Sequence, residues 1–351
     1  MRRATGIALV IGLAAVVVAV VHAGAGAVAR AVENVRLGGL LLLVALHLPI
    51  VMLMGVAWWL ASGDDPPAAR SRFLWARFVR YAGAEVLPFL QFGGVLLGLR
   101  ALGRGRAVAV RGAVAASIDG VVELTAQLPY VLAALLSVLA LAPHSRLARP
   151  LFLWWCATGG FVAILLCARG SLSGWVDRVA RAISRRLPAI IALDGPGTGA
   201  DIRGSFDLIL RERGRLWSAF ALHLCCWCLG AAETWVVFRL LGVDLTLLQA
   251  LAIDGTVAAL RTFGFMVPAA LGVQEASYLL AATVFGIPPA AAVAASLARR
   301  ARDLVLGVGT LGIVVVGDAD FAVRTRRLPT GMVGPTRTDA EPAATGCKDL
   351  A

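Results

Sequence analysis

The chain has 351 residues, 59% of them hydrophobic and 15% charged, with a mean hydropathy of +0.82 and a formal net charge of +12. This departs far from a globular average and defines an all-α, polytopic integral membrane protein. Soluble length is confined to a loop near residues 169–215 and a tail after Asp318, which excludes a separate catalytic domain of ordinary size. The basic excess reads first as inward loops obeying the positive-inside rule and second as a lure for anionic lipid; no nucleic-acid or nucleotide motif accompanies it.

In chain order, residues 4–29 form an uncharged stretch behind Arg2 and Arg3. Ala25, Gly26 and Ala27 resemble a signal-peptidase site, but the stretch is long enough to span and another span follows at once, which favours a retained helix. Arg30, Glu33 and Arg36 then face outward, and residues 37–62 return the chain to the cytoplasm, ending at Trp58 and Trp59 in an interfacial belt. Arg70, Arg72, Arg77 and Arg80 mark an inside loop whose aromatic residues predict an amphipathic helix lying on the membrane. Residues 82–99 have basic flanks on both sides and contain Pro88, Gly93 and Gly94, so they read as a re-entrant hairpin. Glu85 and Gln91 flank its break, and Arg100 follows.

Residues 112–143 cross with a tilt and carry Asp119 and Glu123 four apart, on one helix face. Two carboxylates so placed need a shared proton or an intervening cation. Arg100, Arg104 and Arg111 are candidates for that cation, and plain solvation at the inner interface is the alternative for Asp119. After a short loop, residues 150–168 span back. Residues 169–215 hold nine arginines against five acids, with amphipathic patterning over 175–187 and a Gly-Pro-Gly turn at 195–197, and form a connector near the headgroups. Residues 217–241 span again, with Glu233 about two thirds of the way along, where an acid must pair or titrate. Asp254, Arg261, Glu275, Arg299, Arg300, Arg302 and Asp303 interrupt the remainder, which parses into spans near 247–265, 267–285 and 287–317. The total is about eight transmembrane helices plus the broken segments. A membrane domain over 1–317 and a disordered tail over 318–351 are expected.

The stretch 261–275 is the densest anomaly, because Arg261, Pro268, Gly272, Gln274 and Glu275 sit in an otherwise apolar run. A break at membrane depth is tolerated only where protein or a wet cavity covers it, and charges there face an interior or a pathway. Glu85-Val86-Leu87-Pro88 with Gly93 and Gly94 aligns with Phe265-Met266-Val267-Pro268 and Gly272. Each segment is followed some thirty residues on by arginines and an acid, Asp119 in one case and Asp303 in the other. Paired interrupted segments are the sequence mark of a repeat-built transporter's binding site; chance likeness of two proline kinks is the competing account. The six cysteines form no disulfide framework, the four histidines are scattered, and neither a metal set nor a cofactor is expected.

Phe265 to Ala276, Ser296 to Asp303, Glu85 to Pro88 with Gln91 to Gly94, and Glu233-Thr234-Trp235 together resemble the lysylphosphatidylglycerol synthase transmembrane, or flippase-like, family, most closely its hopanoid-biosynthesis-associated members. The likeness extends over residues 75–315. It departs from the pattern at Asp254, where glutamate is expected, and at Ala270 and Ala276, where glycine is frequent. The resemblance implies a lipid-handling protein of the bacterial inner membrane whose partners are a membrane lipid, either a hopanoid or a carrier lipid, and lipid-biosynthesis enzymes. Translocation of a polar lipid is the first functional expectation. An intramembrane transferase using Glu275 or Glu233 as base, and an accessory subunit of a lipid-modifying enzyme, are the alternatives.

Overall fold

The computed structural model describes residues 14, 16–64, 66–86, 92–103, 105–167, 174, 178, 198–263 and 270–327, among which every regular element is helical. The chain divides into two compact units, 1–311 and 312–351, and all contacts given below lie within the first. The helices are α1 (Ala25–Leu60), α2 (Arg70–Val86), α3 (Phe92–Leu102), α4 (Arg106–Leu141), α5 (Ala148–Cys167), α6 (Thr198–Arg211), α7 (Arg213–Leu240), α8 (Leu247–Phe263), α9 (Val273–Val284) and α10 (Pro289–Arg327).

Four helices among the described residues, α1, α4, α5 and α7, are long and apolar enough to cross a membrane. The architecture is that of a polytopic membrane protein. The first of the eight expected spans, residues 4–29, lies partly outside the described residues, and the last three differ from full-length spans for two physical reasons. α8 and α9 have 17 and 12 residues, short of the ~20 that a crossing needs, and α10 carries its charges in the middle of an apolar run. The outward loop expected around Arg36 is instead a kink inside α1, where Arg36 leaves helical geometry at φ 52° and ψ 170°.

The stretch 82–99 does fold back on itself. α2 and α3 run antiparallel with almost no space between their backbones: a Cβ at Gly94 would lie 2.4 Å from the Arg80 carbonyl oxygen, one at Gly83 2.9 Å from the Gly94 Cα, and one at Gly98 3.0 Å from the Ala76 carbonyl oxygen. Small residues let helix backbones approach in this way where no hydrophobic force drives helices together. The residues joining α2 to α3, including Pro88 and Gln91, lie outside the described residues, as does Pro268. α2 itself is packed into the protein. Phe73, Ala76, Arg77, Val79 and Ala82 are buried, and Trp58, expected to face the membrane interface, lies inside the protein against Phe73, edge to face at 5.5 Å.

Two apolar cores are stacked along the long helices. One gathers Trp58, Phe73, Leu102, Val114 and Ile118 with Ile202, Phe206 and Ile209 of α6, whose spacing of four and three puts them on one face. The other gathers Leu43, Val131, Trp154, Phe238, Ile253, Tyr278 and the alanines of α10. α4 belongs to both, and Asp119, Glu123 and Gln127 fall between its two apolar stretches. On the outside, α1 presents Leu37, Leu41 and Met52, and α5 presents Phe152, Phe161 and Ile164. Apolar surface of this extent on crossing helices is a lipid-facing surface.

Replacing Gly94 by alanine is expected to force α2 and α3 apart and cost about 1–3 kcal/mol. Gly120→Ala, where a Cβ meets nothing within 4 Å, should be neutral or gain up to ~1 kcal/mol; thermal unfolding of the two variants in detergent measures the contrast.

Candidate functional site

α10 places three arginines and an acid at one level of the bundle, and their side chains diverge by helix geometry. Arg299, Arg302 and Asp303 share a face at spacings of three and four, whereas Arg300 turns toward α9. Arg302 is buried and donates to Glu233 of α7 and to Asp303, the latter from Nη2 at 2.5 Å and Nε at 2.8 Å. Glu233 is buried too, and its second oxygen takes His47 Nδ1 of α1 at 3.1 Å. Asp303 also accepts from the hydroxyl of Tyr81 on α2.

Arg299 donates to Asp254 of α8 at 2.5 Å, to the Thr234 hydroxyl at 2.6 Å and to the Tyr278 hydroxyl at 2.7 Å. Asp254 accepts further from Tyr130 at 2.6 Å and Thr234 at 2.7 Å. Glu275 closes the network on α9. One oxygen accepts the Gly272 backbone N–H at 2.8 Å, and the other takes Arg300 Nε at 3.0 Å and the Ser296 hydroxyl at 3.3 Å. Gly272 itself is left-handed at φ 79°, a conformation that glycine adopts freely as the chain turns into α9. Gln274 donates to the Ser296 carbonyl and hydroxyl, both at 3.1 Å.

Arg261 near the end of α8 pairs with Glu85 near the end of α2 at 3.1 Å. α2 ends two residues before Pro88 and α8 five residues before Pro268, so the pair joins the helices that precede the two proline-containing stretches. Its side chains retain 27% and 16% exposure, against 14% for Arg299 and 15% for Arg300, so Arg261 stands at the more open border of the network.

A second cluster lies between the two apolar cores. Asp119 is fully buried and holds His223 Nε2 of α7 at 2.9 Å, Arg80 at 3.3 Å and Arg77 at 3.5 Å; Arg77 reaches Glu123 at 3.5 Å and donates to the Met54 sulfur at 3.1 Å. The cations beside the two carboxylates thus come from α2, where sequence proximity had pointed to arginines 100, 104 and 111. Ligand atoms of Asp119, Glu123 and His223 lie within 4.8 Å of one another. They do not fit a metal centre, because two guanidiniums already occupy the cation's place and would repel a divalent ion.

Of the residues singled out from the sequence, the upper network brings together Glu85, Glu233, Asp254, Arg261, Gly272, Gln274, Glu275, Arg299, Arg300, Arg302 and Asp303, and the lower cluster holds Asp119 and Glu123. Gly93 and Gly94 serve the α2–α3 contact, and Arg100 is exposed near the end of α3. The sequence reading missed His47, Arg77, Arg80, Tyr81, Tyr130, His223, Thr234, Tyr278 and Ser296. A signal existed: the chain has three tyrosines, at 81, 130 and 278, and the hydroxyl of every one lies in the upper network. Cys226 packs against the Ile50 carbonyl, while Cys225 and Cys228 face outward, so the C-x-x-C spacing builds no site.

A helical membrane protein with a paired, largely buried charge network among its helices is the class that this architecture defines. The family described as lysylphosphatidylglycerol synthase TM region matches residues 5–309, and the chain belongs to that family. No curated protein and no solved structure matches it.

Removing one partner of a buried ion pair strands the other. Glu233→Leu should therefore destabilise the protein by about 3–5 kcal/mol, and Arg302→Leu added to it should recover part of that loss. A double-mutant cycle on unfolding in detergent measures the recovery.

Proposed function

We propose that this protein translocates a polar or modified lipid across the cytoplasmic membrane of a bacterium, with the headgroup entering beside the upper charge network and the tails remaining in the bilayer. The observation that carries the reading is the Arg261–Glu85 pair, which joins the two helices leading into the broken stretches at the partly open border of the network. Broken segments facing each other across a polar interior are the arrangement in which transporters hold substrates. Membership of a lipid-related membrane family supports the choice of a lipid over a water-soluble solute. The family likeness favours a hopanoid, and phospholipid or a polyprenyl-phosphate carrier suits the same mixture of guanidinium, carboxylate and hydroxyl groups. In the competing reading, an intramembrane transferase, incubation with labelled donor yields a new lipid product, whereas a translocator only moves the lipid it is given.

Vesicles carrying the protein and acyl-labelled phosphatidylglycerol, phosphatidylethanolamine or an amino-functionalised hopanoid test the proposal, with bleaching by a membrane-impermeant reductant as the readout. At least one probe should become accessible at least ten-fold faster than in empty vesicles. Arg261→Glu should abolish the gain, and Arg261→Glu with Glu85→Arg should restore at least a third of it. If no probe moves faster than in empty vesicles, the translocation reading is lost.

A further inference from the structure

Two buried histidines remain to be explained, and both bond a carboxylate: His47 Nδ1 lies 3.1 Å from Glu233, and His223 Nε2 lies 2.9 Å from Asp119. The pairs are separate but share their scaffolding. α7 carries His223 and, ten residues on, Glu233, which is about 15 Å along a helix and so about half of a hydrocarbon core of ~30 Å. α7 is long and apolar enough to cross a membrane, so the pairs lie at different depths. α2 joins them through consecutive residues: Arg80 contacts Asp119 of the lower pair, and Tyr81 bonds Asp303 and lies against the His47 ring at 5.4 Å. α1 likewise places Met54 at the lower level and His47 at the upper.

The His223 ring is fully buried, and its Nδ1 has no partner among the described residues. In the neutral ring Nε2–H donates to Asp119 and Nδ1 keeps a lone pair with nothing to bond. A proton arriving at Nδ1 makes an imidazolium beside a carboxylate, and its departure restores the starting state, so no other co-reactant is needed. Around His223 stand Asp119 and Glu123 from α4 and Arg77 and Arg80 from α2; around His47 stand Glu233 from α7, Arg302 and Asp303 from α10, and Tyr81 from α2. At both levels, carboxylates already matched by guanidiniums border a group that gains or loses charge between pH 5 and 8 unless its surroundings prevent it. Chains of acids and histidines at membrane depth are the usual proton routes of pumps and transporters.

We propose that His47 with Glu233 and His223 with Asp119 are two proton stations on one polar seam, and that lipid movement by this protein is coupled to proton movement across the membrane. The coupling rests on the translocation reading. Its physical basis is reciprocity: a headgroup near the Arg261–Glu85 border changes the proton affinity of the seam by the same factor as the proton changes affinity for the headgroup.

Two measurements test it. The chain has four histidines, so nitrogen-15 spectra of histidine-labelled protein contain few signals, and His47→Gln and His223→Gln assign them. Each imidazole should gain and lose a proton as pH is varied over the range in which the protein stays folded; if either stays in one state, the proton stations are overturned whatever the lipid assay shows. In the vesicle assay with the three labelled lipids, an imposed pH gradient with the electrical potential clamped should change the transfer rate about ten-fold. A protonophore should remove the change, and each glutamine variant should keep a slow transfer insensitive to the gradient. Equal rates with and without the gradient overturn the coupling and leave the translocation reading standing. Absence of transfer for every probe, with both histidines titrating, overturns the translocation reading and the coupling with it, and leaves two proton sites without a transport role.

Discussion

Arg302 and Glu233 hold one another inside a fold whose outer surface faces lipid, and this pairing constrains much of the rest. A lone charge at membrane depth is costly for either partner, so α10 and α7 must lie at one fixed relative height. The same condition then applies outward along the network. Asp303 is matched by Arg302, Asp254 by Arg299, Glu275 by Arg300 and Glu85 by Arg261. The Asp254 and Glu275 pairs tie α8 and α9 to the level of α10, the Glu85 pair ties α2 to α8, and the short helices α8 and α9 have too little apolar length to fix their own depth. Charge matching supplies the register that hydrophobic length supplies for α1, α5 and α7.

The same condition explains what could be read in the sequence. Every charged residue in the apolar run after residue 247 had to be paired or functional, which picked out Asp254, Arg261, Glu275 and the cluster 299–303 without any structure. The matching partners were harder. Tyr130, Thr234 and Tyr278 are ordinary residues in apolar helices, and only their position opposite Asp254 and Arg299 makes them members of the network. Helical spacing did hold part of the answer, since Asp119, Glu123, Gln127 and Tyr130 form one stripe along α4, and Arg77, Tyr81 and Glu85 another along α2. Those stripes show that a face is polar and leave open what meets it.

α2 shows why helical spacing alone does not identify what a polar face meets. With arginines at 70, 72, 77 and 80 among aromatic residues, its composition is that of a helix lying on a membrane, and the loop-like flanks agree. What decides otherwise is Gly94 and Gly98, on a different helix. They admit the α2 backbone so closely that its arginine face is pressed against Asp119 and Glu123, where an outward position would have left those acids unmatched. The amphipathic pattern is real, but Arg77 and Arg80 face an interior cluster while Arg70 and Arg72 stay exposed. A pattern on one helix cannot distinguish water from a buried counter-charge.

The stretch around Glu275 changes meaning for a related reason. From the sequence it is the most anomalous acid in the chain, yet both of its oxygens are engaged in the fold, one on the Gly272 N–H that opens α9 and the other on Arg300 and Ser296. An acid fully engaged in this way holds the broken segment in shape, and its loss unfolds the segment before it tells anything about a ligand. Arg261 differs in that, at 27% exposure, it is more open than Arg299 at 14% and Arg300 at 15%, and it bonds Glu85 at the rim. A headgroup can compete for groups at a rim, where water already reaches them, at far lower cost than for groups sealed among tyrosines. The breaks therefore divide into two parts: Glu275 with Gly272 fixes the turn into α9, and the Arg261–Glu85 pair is where an incoming polar group meets the protein under the function proposed.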